Sequence, residues 1–184
     1  MAKLISKTYG DALFETALEE GSEGALLSEA LSLCTILKEN PELSRLMNHP
    51  GLTIEEKTSL WENIFKGRMS DTLLGFLRVI IINDRYQETE NILSYFIDTV
   101  KDHQGIGMAT VTTPMPLSAA RKQEIEEKLI ATTRYTSMEM NYVIDESLIG
   151  GMIIRLGDRV VDSSIKSRLA ALEKNLRNTQ IAAL

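Results

Sequence analysis

The chain has 184 residues, of which 43% are hydrophobic, and its 20 basic and 26 acidic side chains give a formal net charge of −6. This length suits one ordinary domain or two small ones, and the apolar content excludes a wholly disordered chain. The negative charge argues against a protein that binds nucleic acid through phosphate contacts, and a single cysteine, Cys34, excludes an intramolecular disulfide and a cysteine-based zinc site.

No apolar run approaches the length of about 18 residues that a membrane-spanning helix needs. The first ten residues contain no apolar stretch of the kind found in a signal peptide, and they do not resemble a transit peptide. We therefore expect a soluble protein of a reducing compartment.

Residues 1–104 show helical periodicity in successive segments. The first segment carries two sets of apolar residues and ends at Gly21, and the second has its apolar stripe over residues 26–37. Asn40 and Pro41 then predict the N-cap and first position of a short third helix.

Three more helices are predicted before residue 104. Thr53 and Glu56 have the spacing of a capping box that opens the fourth helix. Ser70 marks the start of a fifth helix that extends to about Asn83, and a sixth begins near Gln87. Six helices with short connections predict an all-α bundle.

The pattern changes at Gly105. Alternating residues predict a strand that ends at Pro114, and residues 118–133 have helical periodicity. Residues 138–144 alternate again, as expected of a second strand.

Gly157 and Asp158 separate two further short strands and have the pattern of a two-residue hairpin. Residues 162–164 have the composition of a helix cap and precede a last helix. We therefore predict two domains, a six-helix bundle over residues 1–104 and a small β-α-β-β-β-α domain over residues 105–184.

Charge divides along the same boundary. Residues 1–104 carry 10 basic and 17 acidic side chains, a net charge of −7, whereas residues 105–184 carry 10 and 9, a net charge of +1. Two domains of different class and charge suggest two surfaces for two different partners.

Candidate catalytic residues are few. Asp145, Asp158 and Asp162 could supply paired carboxylates for a small hydrolase, although aspartate also favours turns and caps for local reasons. No phosphate-binding glycine loop, cofactor motif or nucleophile–base pair is present, and Cys34 lies on an apolar helical stripe typical of a core thiol.

The fifth helix is apolar in nearly every direction around its axis. Such a helix is either central in a bundle or has one face that awaits a partner. The first helix also carries apolar residues around much of its circumference, so a groove between the two helices could accept an amphipathic helix from another protein. Full burial of both helices is the alternative that stays open.

The last helix carries an apolar stripe that we expect to pack on the sheet, formed by Ile165, Leu169, Leu172 and Leu176. Basic residues flank this stripe, namely Lys166, Arg168, Lys174 and Arg177. The basic flank is either a solvated face or a docking surface for an acidic partner helix.

A longer motif then becomes recognisable. Residues 145–169 contain the pattern Gly-Gly-x3-Arg-x-Gly-Asp-x3-Asp-x-Ser, which resembles the signature of the ATP synthase delta subunit family, called OSCP in mitochondria. Residues 9–17 resemble the opening helix of that family, and residues 76–85 resemble its fifth helix. Gly10 stands where alanine is usual, and Ser163 where glycine is usual.

The resemblance implies a non-catalytic stator subunit of the F-type ATP synthase, without catalytic, cofactor or metal residues. In the family, the helical bundle binds N-terminal helices of alpha subunits in a groove between the first and fifth helices. Tyr9, Ala12 and Val79 match positions of that groove. Periodicity adds three further candidates, Leu13, Phe76 and Ile80.

The smaller domain is expected to hold the C-terminal end of a b-type stalk subunit, with no residues assigned. One monomer per complex would lie at the periphery of the cytoplasmic face of a bacterial inner membrane, or at the stromal face of a thylakoid. Two other interpretations stay open: an RNA-associated helical-bundle factor of the antitermination type, and the small hydrolase.

Overall fold

The structure is a computed structural model that describes residues 2–49 and 51–182, with side chains described for residues 4–49 and 51–173. The described residues form two compact units that divide between His103 and Gln104.

The described part of the N-terminal unit is built from helices. Its helices are α1 (Ala2–Glu20), α2 (Glu23–Glu39), α3 (Pro41–Met47), α4 (Ile54–Phe65), α5 (Asp71–Ile82) and α6 (Thr89–His103), with a short 3-10 helix over Tyr86–Glu88. The helix α6 packs against both α1 and α2, and its side chains Ile92, Leu93, Phe96 and Val100 are fully buried. The apolar stripes of the other helices complete one hydrophobic core around them.

Local sequence signals explain where two of these helices begin. The predicted capping box is confirmed, since the Thr53 hydroxyl accepts a hydrogen bond from the Glu56 amide at 3.2 Å while the Glu56 carboxylate accepts one from the Thr53 amide at 2.9 Å. The Ser70 hydroxyl caps α5 in the same way through the Leu73 amide.

Asn40 is the N-cap residue of α3 and Pro41 its first residue, as predicted, but the Asn40 side chain makes no hydrogen bond to that helix. The Asn40 amide nitrogen Nδ2 instead donates to the carbonyl of Ile36 at 2.8 Å and so closes the end of α2. The connection between α2 and α3 is one residue long, and Asn40 satisfies a carbonyl that the preceding helix leaves free.

The C-terminal unit is a mixed α/β fold. Its elements are β1 (Ile106–Thr113), α7 (Ala119–Thr132), β2 (Ser137–Ile144), β3 (Ile153–Leu156), β4 (Arg159–Asp162) and α8 (Ile165–Ala182), with a 3-10 helix over Glu146–Leu148. The strands form one sheet in the order β2-β1-β3-β4, in which β1 and β2 are parallel and the other neighbours antiparallel. The predicted fold class, a helical bundle followed by a small β-α-β-β-β-α fold, is confirmed.

Helix α7 covers one face of the sheet. Ala109 and Val111 of β1 are buried together with Ile125 of α7. The Tyr142 hydroxyl of β2 donates to the backbone carbonyl of Lys122 at 3.3 Å, and the Lys122 ammonium lies 4.6 Å from the centre of the Tyr142 ring. At the other edge of the sheet, all four residues of β4 are exposed.

The expectation that the α8 stripe packs on the sheet is wrong for every member that the structure describes. Ile165, Leu169 and Leu172 are exposed, while Leu176 and the flanking Lys174 and Arg177 lie outside the described side chains. The start of α8 contacts the 3-10 helix over residues 146–148 and the loop that follows it. Leu148 of that 3-10 helix is buried, whereas the described residues of the α8 stripe lie on the outside of the unit.

Candidate functional site

Helix α5 has a buried face and an exposed apolar edge. Leu73, Leu77 and Ile80 are buried in the core, whereas Val79 is 47% and Ile82 50% exposed. An isolated bundle gains nothing by exposing two β-branched side chains next to each other on one helix. Full burial of α5 is therefore excluded, and the alternative of a face that awaits a partner is favoured.

Helix α1 meets α5 through two observed contacts. The rings of Tyr9 and Phe76 lie edge to face, with centroids 6.5 Å apart and an interplanar angle of 67°. The Thr72 hydroxyl of α5 donates to the carboxylate of Glu20 of α1 at 2.9 Å. The two helices that the sequence analysis singled out are thus neighbours.

Four of the six predicted site residues lie at or near the surface. Tyr9 and Phe76 are half-buried, and Ala12 and Val79 are exposed one helical turn further along their helices. We call these four residues the α1–α5 surface. A half-buried aromatic pair beside a small and a β-branched residue is suited to packing against an apolar helix face.

Leu13 and Ile80 have to be removed from the candidate site. Leu13 is only 2% exposed and Ile80 is fully buried, and both belong to the hydrophobic core of the bundle. Successive residues of a helix differ by about 100° in direction. Each side chain therefore points inward although its neighbour, Ala12 or Val79, is exposed.

A tyrosine of α6 packs against α1 next to this surface. The Tyr95 hydroxyl donates a hydrogen bond to Oδ1 of Asp11 at 2.9 Å, and desolvation together with this hydrogen bond raises the pKa of Tyr95. A Cβ atom at Gly10 would overlap the Tyr95 ring. The glycine at this position, where the resemblance leads one to expect alanine, thus makes room for Tyr95.

A second apolar surface of the helical unit was missed by the sequence analysis. A cavity of about 670 Å³ lies between α2, α3 and α4, and its apolar wall is formed by Leu33, Ile36, Leu43, Leu46, Ile64, Phe65 and Met69. Ile36 and Ile64 fall outside the buried stripes of their helices. Their apolar character at exposed positions was the sequence signal that could have indicated this surface. Periodicity places such residues on the surface but does not show that three helices bring them together.

Two of the three aspartates of the hydrolase interpretation, Asp145 and Asp162, have local structural roles. The Asp145 carboxylate accepts from the Ser147 amide at 2.9 Å, and the Asp162 carboxylate accepts from the Ser164 amide at 2.8 Å. Hydrogen bonds lower the pKa of both groups, from Ser147 at Asp145 and from Ser167 and Ser164 at Asp162. Neither carboxyl is suited to give up a proton as a general acid near neutral pH.

Cys34 and the possible metal ligands were the other candidates for a reactive centre in the described part of the chain. Burial raises the pKa of the Cys34 thiol, which keeps it protonated. Among the side chains that the structure describes, no group of His, Cys, Asp or Glu is arranged to hold a metal ion. No helix in the described part of the chain combines the length and the apolar character needed to cross a membrane.

Comparisons with known proteins agree over nearly the whole chain. Residues 5–176 match the family model described as ATP synthase delta (OSCP) subunit. The chain is 50% identical to the ATP synthase subunit delta of Lachnoclostridium phytofermentans, over 98% of this chain and 100% of that one. It is 30% identical to the protein of the same description from Brevibacillus brevis, over 92% and 96%.

A solved structure has the same fold. A chain of the Toxoplasma gondii mitochondrial ATP synthase hexamer superposes with a TM-score of 0.79 at 17% identity, over 93% of this chain and 96% of that one.

Proposed function

The chain belongs to the ATP synthase delta (OSCP) subunit family, and we propose that it joins the catalytic head of the enzyme to the peripheral stalk through two separate surfaces. Membership of this family confirms the prediction of a non-catalytic stator subunit of the ATP synthase, peripheral to the membrane complex. Nothing in the comparisons supports the RNA-associated alternative.

The helical unit is proposed to bind the head. Its α1–α5 surface would take an amphipathic N-terminal helix of an alpha subunit, and the observation that carries this assignment is the exposure of Val79 on a helix whose other face forms the core. Ala12 is small enough to let a helix backbone approach closely, while Tyr9 and Phe76 offer a preformed aromatic pair. Removing the exposed half of a valine side chain from water stabilises a complex by about 1 kcal/mol.

Charge supports the same partner. Residues 1–104 carry a net charge of −7, which favours an approaching helix with basic residues beside its apolar stripe. Charges of this kind at the rim of an interface accelerate association and are screened by salt over about 8–10 Å. The apolar contacts would then supply the holding strength.

The C-terminal unit is proposed to hold the C-terminal helix of a b-type stalk subunit. It differs from the helical unit in fold and in net charge, and it exposes apolar side chains on both α8 and β4. A subunit with two dissimilar surfaces is suited to linking two dissimilar partners.

The mechanism is mechanical. Rotation driven by proton flow would turn the head as well unless a fixed connection resists the torque. We propose that one copy of this chain per complex provides that connection, on the cytoplasmic face of the membrane. A few well-packed, desolvated side chains supply most of the binding free energy of such interfaces, and the total buried area is a poorer guide to it.

Calorimetric titration of the full chain with a peptide from the N-terminus of the cognate alpha subunit tests the head-binding proposal. We expect saturable one-to-one binding that Val79→Asp weakens by roughly tenfold or more, since a carboxylate would be buried without a partner. Val160→Asp is the matched control, because Val160 is a similarly exposed valine in the other unit.

Trp61 fluorescence and circular dichroism establish that each variant is folded. Undiminished binding by a folded Val79→Asp chain would remove α5 from the interface. Failure of the wild-type chain to bind would remove the alpha-subunit assignment altogether.

A further inference from the structure

The first two turns of α8 present an apolar stripe to solvent. Ile165, Leu169 and Leu172 are 43%, 53% and 58% exposed. Their spacing of four and three residues places them on one face of the helix. An apolar stripe of this length is the kind of surface against which a second amphipathic helix packs.

The loop before β3 adds a fourth exposed apolar residue close to the start of α8. Ile149 is 65% exposed and has a φ of +66°, a left-handed conformation that β-branched residues rarely adopt. The carbonyl of the next residue, Gly150, accepts a hydrogen bond from the Ile165 amide at 3.0 Å. The loop and the start of α8 are therefore fixed to each other, although the conformation of Ile149 is unfavourable by itself.

Basic residues accompany the stripe. Lys166 and Arg168 are exposed on the same turns of α8, and the sequence of this helix contains Lys174 and Arg177 against one acidic residue, Glu173. Opposite charge beside the apolar contact would complement this surface. A second copy of the same helix would bring like charges together, so self-association through this face is disfavoured.

We propose that Ile149, Ile165, Leu169 and Leu172, which we call the α8 face, bind an amphipathic helix that carries acidic residues next to its apolar stripe. This inference rests on the proposed function, in which the C-terminal unit holds the stalk subunit, and it assigns the residues that do so. Lys166 and Arg168 flank the interface and pair with the acidic side chains of the partner helix.

The test is calorimetric titration of the full chain with a peptide from the C-terminal helix of the cognate stalk subunit. We expect Leu169→Asp to weaken binding by roughly tenfold or more, and Arg168→Glu to weaken it less and to flatten its dependence on salt. Leu31→Asp is the matched control, since Leu31 is an exposed leucine of similar exposure on α2 of the helical unit.

The outcomes separate the inference from the function on which it rests. Wild-type binding that survives both Leu169→Asp and Ile149→Asp would overturn the α8 face and leave the stalk-binding role intact. Failure of the wild-type chain to bind the stalk peptide would overturn the stalk-binding role itself. Dimerisation in analytical ultracentrifugation that Leu169→Asp abolishes would show that a second copy occupies the face, and would also overturn the inference.

Discussion

A methyl group at Gly10 would collide with a tyrosine that is itself fixed. A Cβ atom at Gly10 overlaps the Tyr95 ring, and the hydroxyl of that ring is hydrogen-bonded to Asp11 on the same helix as Gly10. The ring cannot move aside without giving up this hydrogen bond. We therefore predict that Gly10→Ala destabilises the helical unit, although alanine is the better helix former.

The magnitude follows from three opposing contributions. Alanine stabilises a helix interior by about 1 kcal/mol relative to glycine. Forcing extra volume into a packed contact costs about 1–3 kcal/mol, and loss of the hydrogen bond between Tyr95 and Asp11 costs about 1 kcal/mol. The free energy of unfolding should therefore fall by about 1–3 kcal/mol.

Urea unfolding followed by tryptophan fluorescence measures this quantity. Trp61 is the only tryptophan of the chain and is 1% exposed in the helical core, so its emission reports on that unit alone. Gly75→Ala is the matched control, because a Cβ at this helical glycine meets nothing within 4 Å and should stabilise by up to about 1 kcal/mol.

A double-mutant comparison completes the test. In a Tyr95→Ala background the collision is absent, and Gly10→Ala should then be stabilising. If Gly10→Ala alone stabilises the unit as Gly75→Ala does, the close contact between α1 and α6 is refuted.

Two further predictions concern the C-terminal unit. Hydrogen bonds and charge from Lys128 and Arg121 lower the pKa of Glu124 to about 2. The stabilising contribution of this carboxylate is therefore full above its ordinary pKa near 4.5 and is lost as pH falls through about 2. A carboxyl titration by NMR in which Glu124 has an ordinary midpoint would contradict this. Replacing Asp162 by alanine removes the acceptor of the Ser164 amide and should speed hydrogen exchange in the first turn of α8, whereas Asp158→Ala should leave that exchange unchanged.

Much of the fold could be predicted because its signals are local. The capping box at Thr53 and the hairpin at Gly157 depend on residues within three or four positions of each other, and the structure has both. Asn40 shows the limit of such signals, because it stands at the predicted N-cap of α3 while its side chain bonds a carbonyl of α2. Which helix the Asn40 side chain bonds depends on how α2 and α3 pack together.

The candidate site could be predicted only in part. Periodicity identified α5 as too apolar for a single buried face, but it could not separate exposed Val79 from buried Ile80, because both are apolar and adjacent. Which of these two residues is exposed depends on how α5 is oriented against the core. The contact between Gly10 and Tyr95 joins residues far apart in sequence and leaves no local pattern.

For α8 the error was the reverse, because residues predicted to be buried are exposed. Its stripe has the periodicity of a helix that packs on its own sheet, yet Leu169 and Leu172 are exposed. An apolar stripe predicts that a surface will be covered, but it does not identify the molecule that covers it.

ATP-driven proton pumping by the assembled enzyme tests the central claim, a fixed connection between head and stalk, most directly. Membranes stripped of the head are rebuilt with purified head and either the wild-type chain or Val79→Asp, and hydrolysis and proton uptake are measured in the same sample. We predict that hydrolysis continues in both while proton pumping is lost with Val79→Asp. Equal pumping by the two, with both chains folded, would contradict the proposed clamp at the α1–α5 surface.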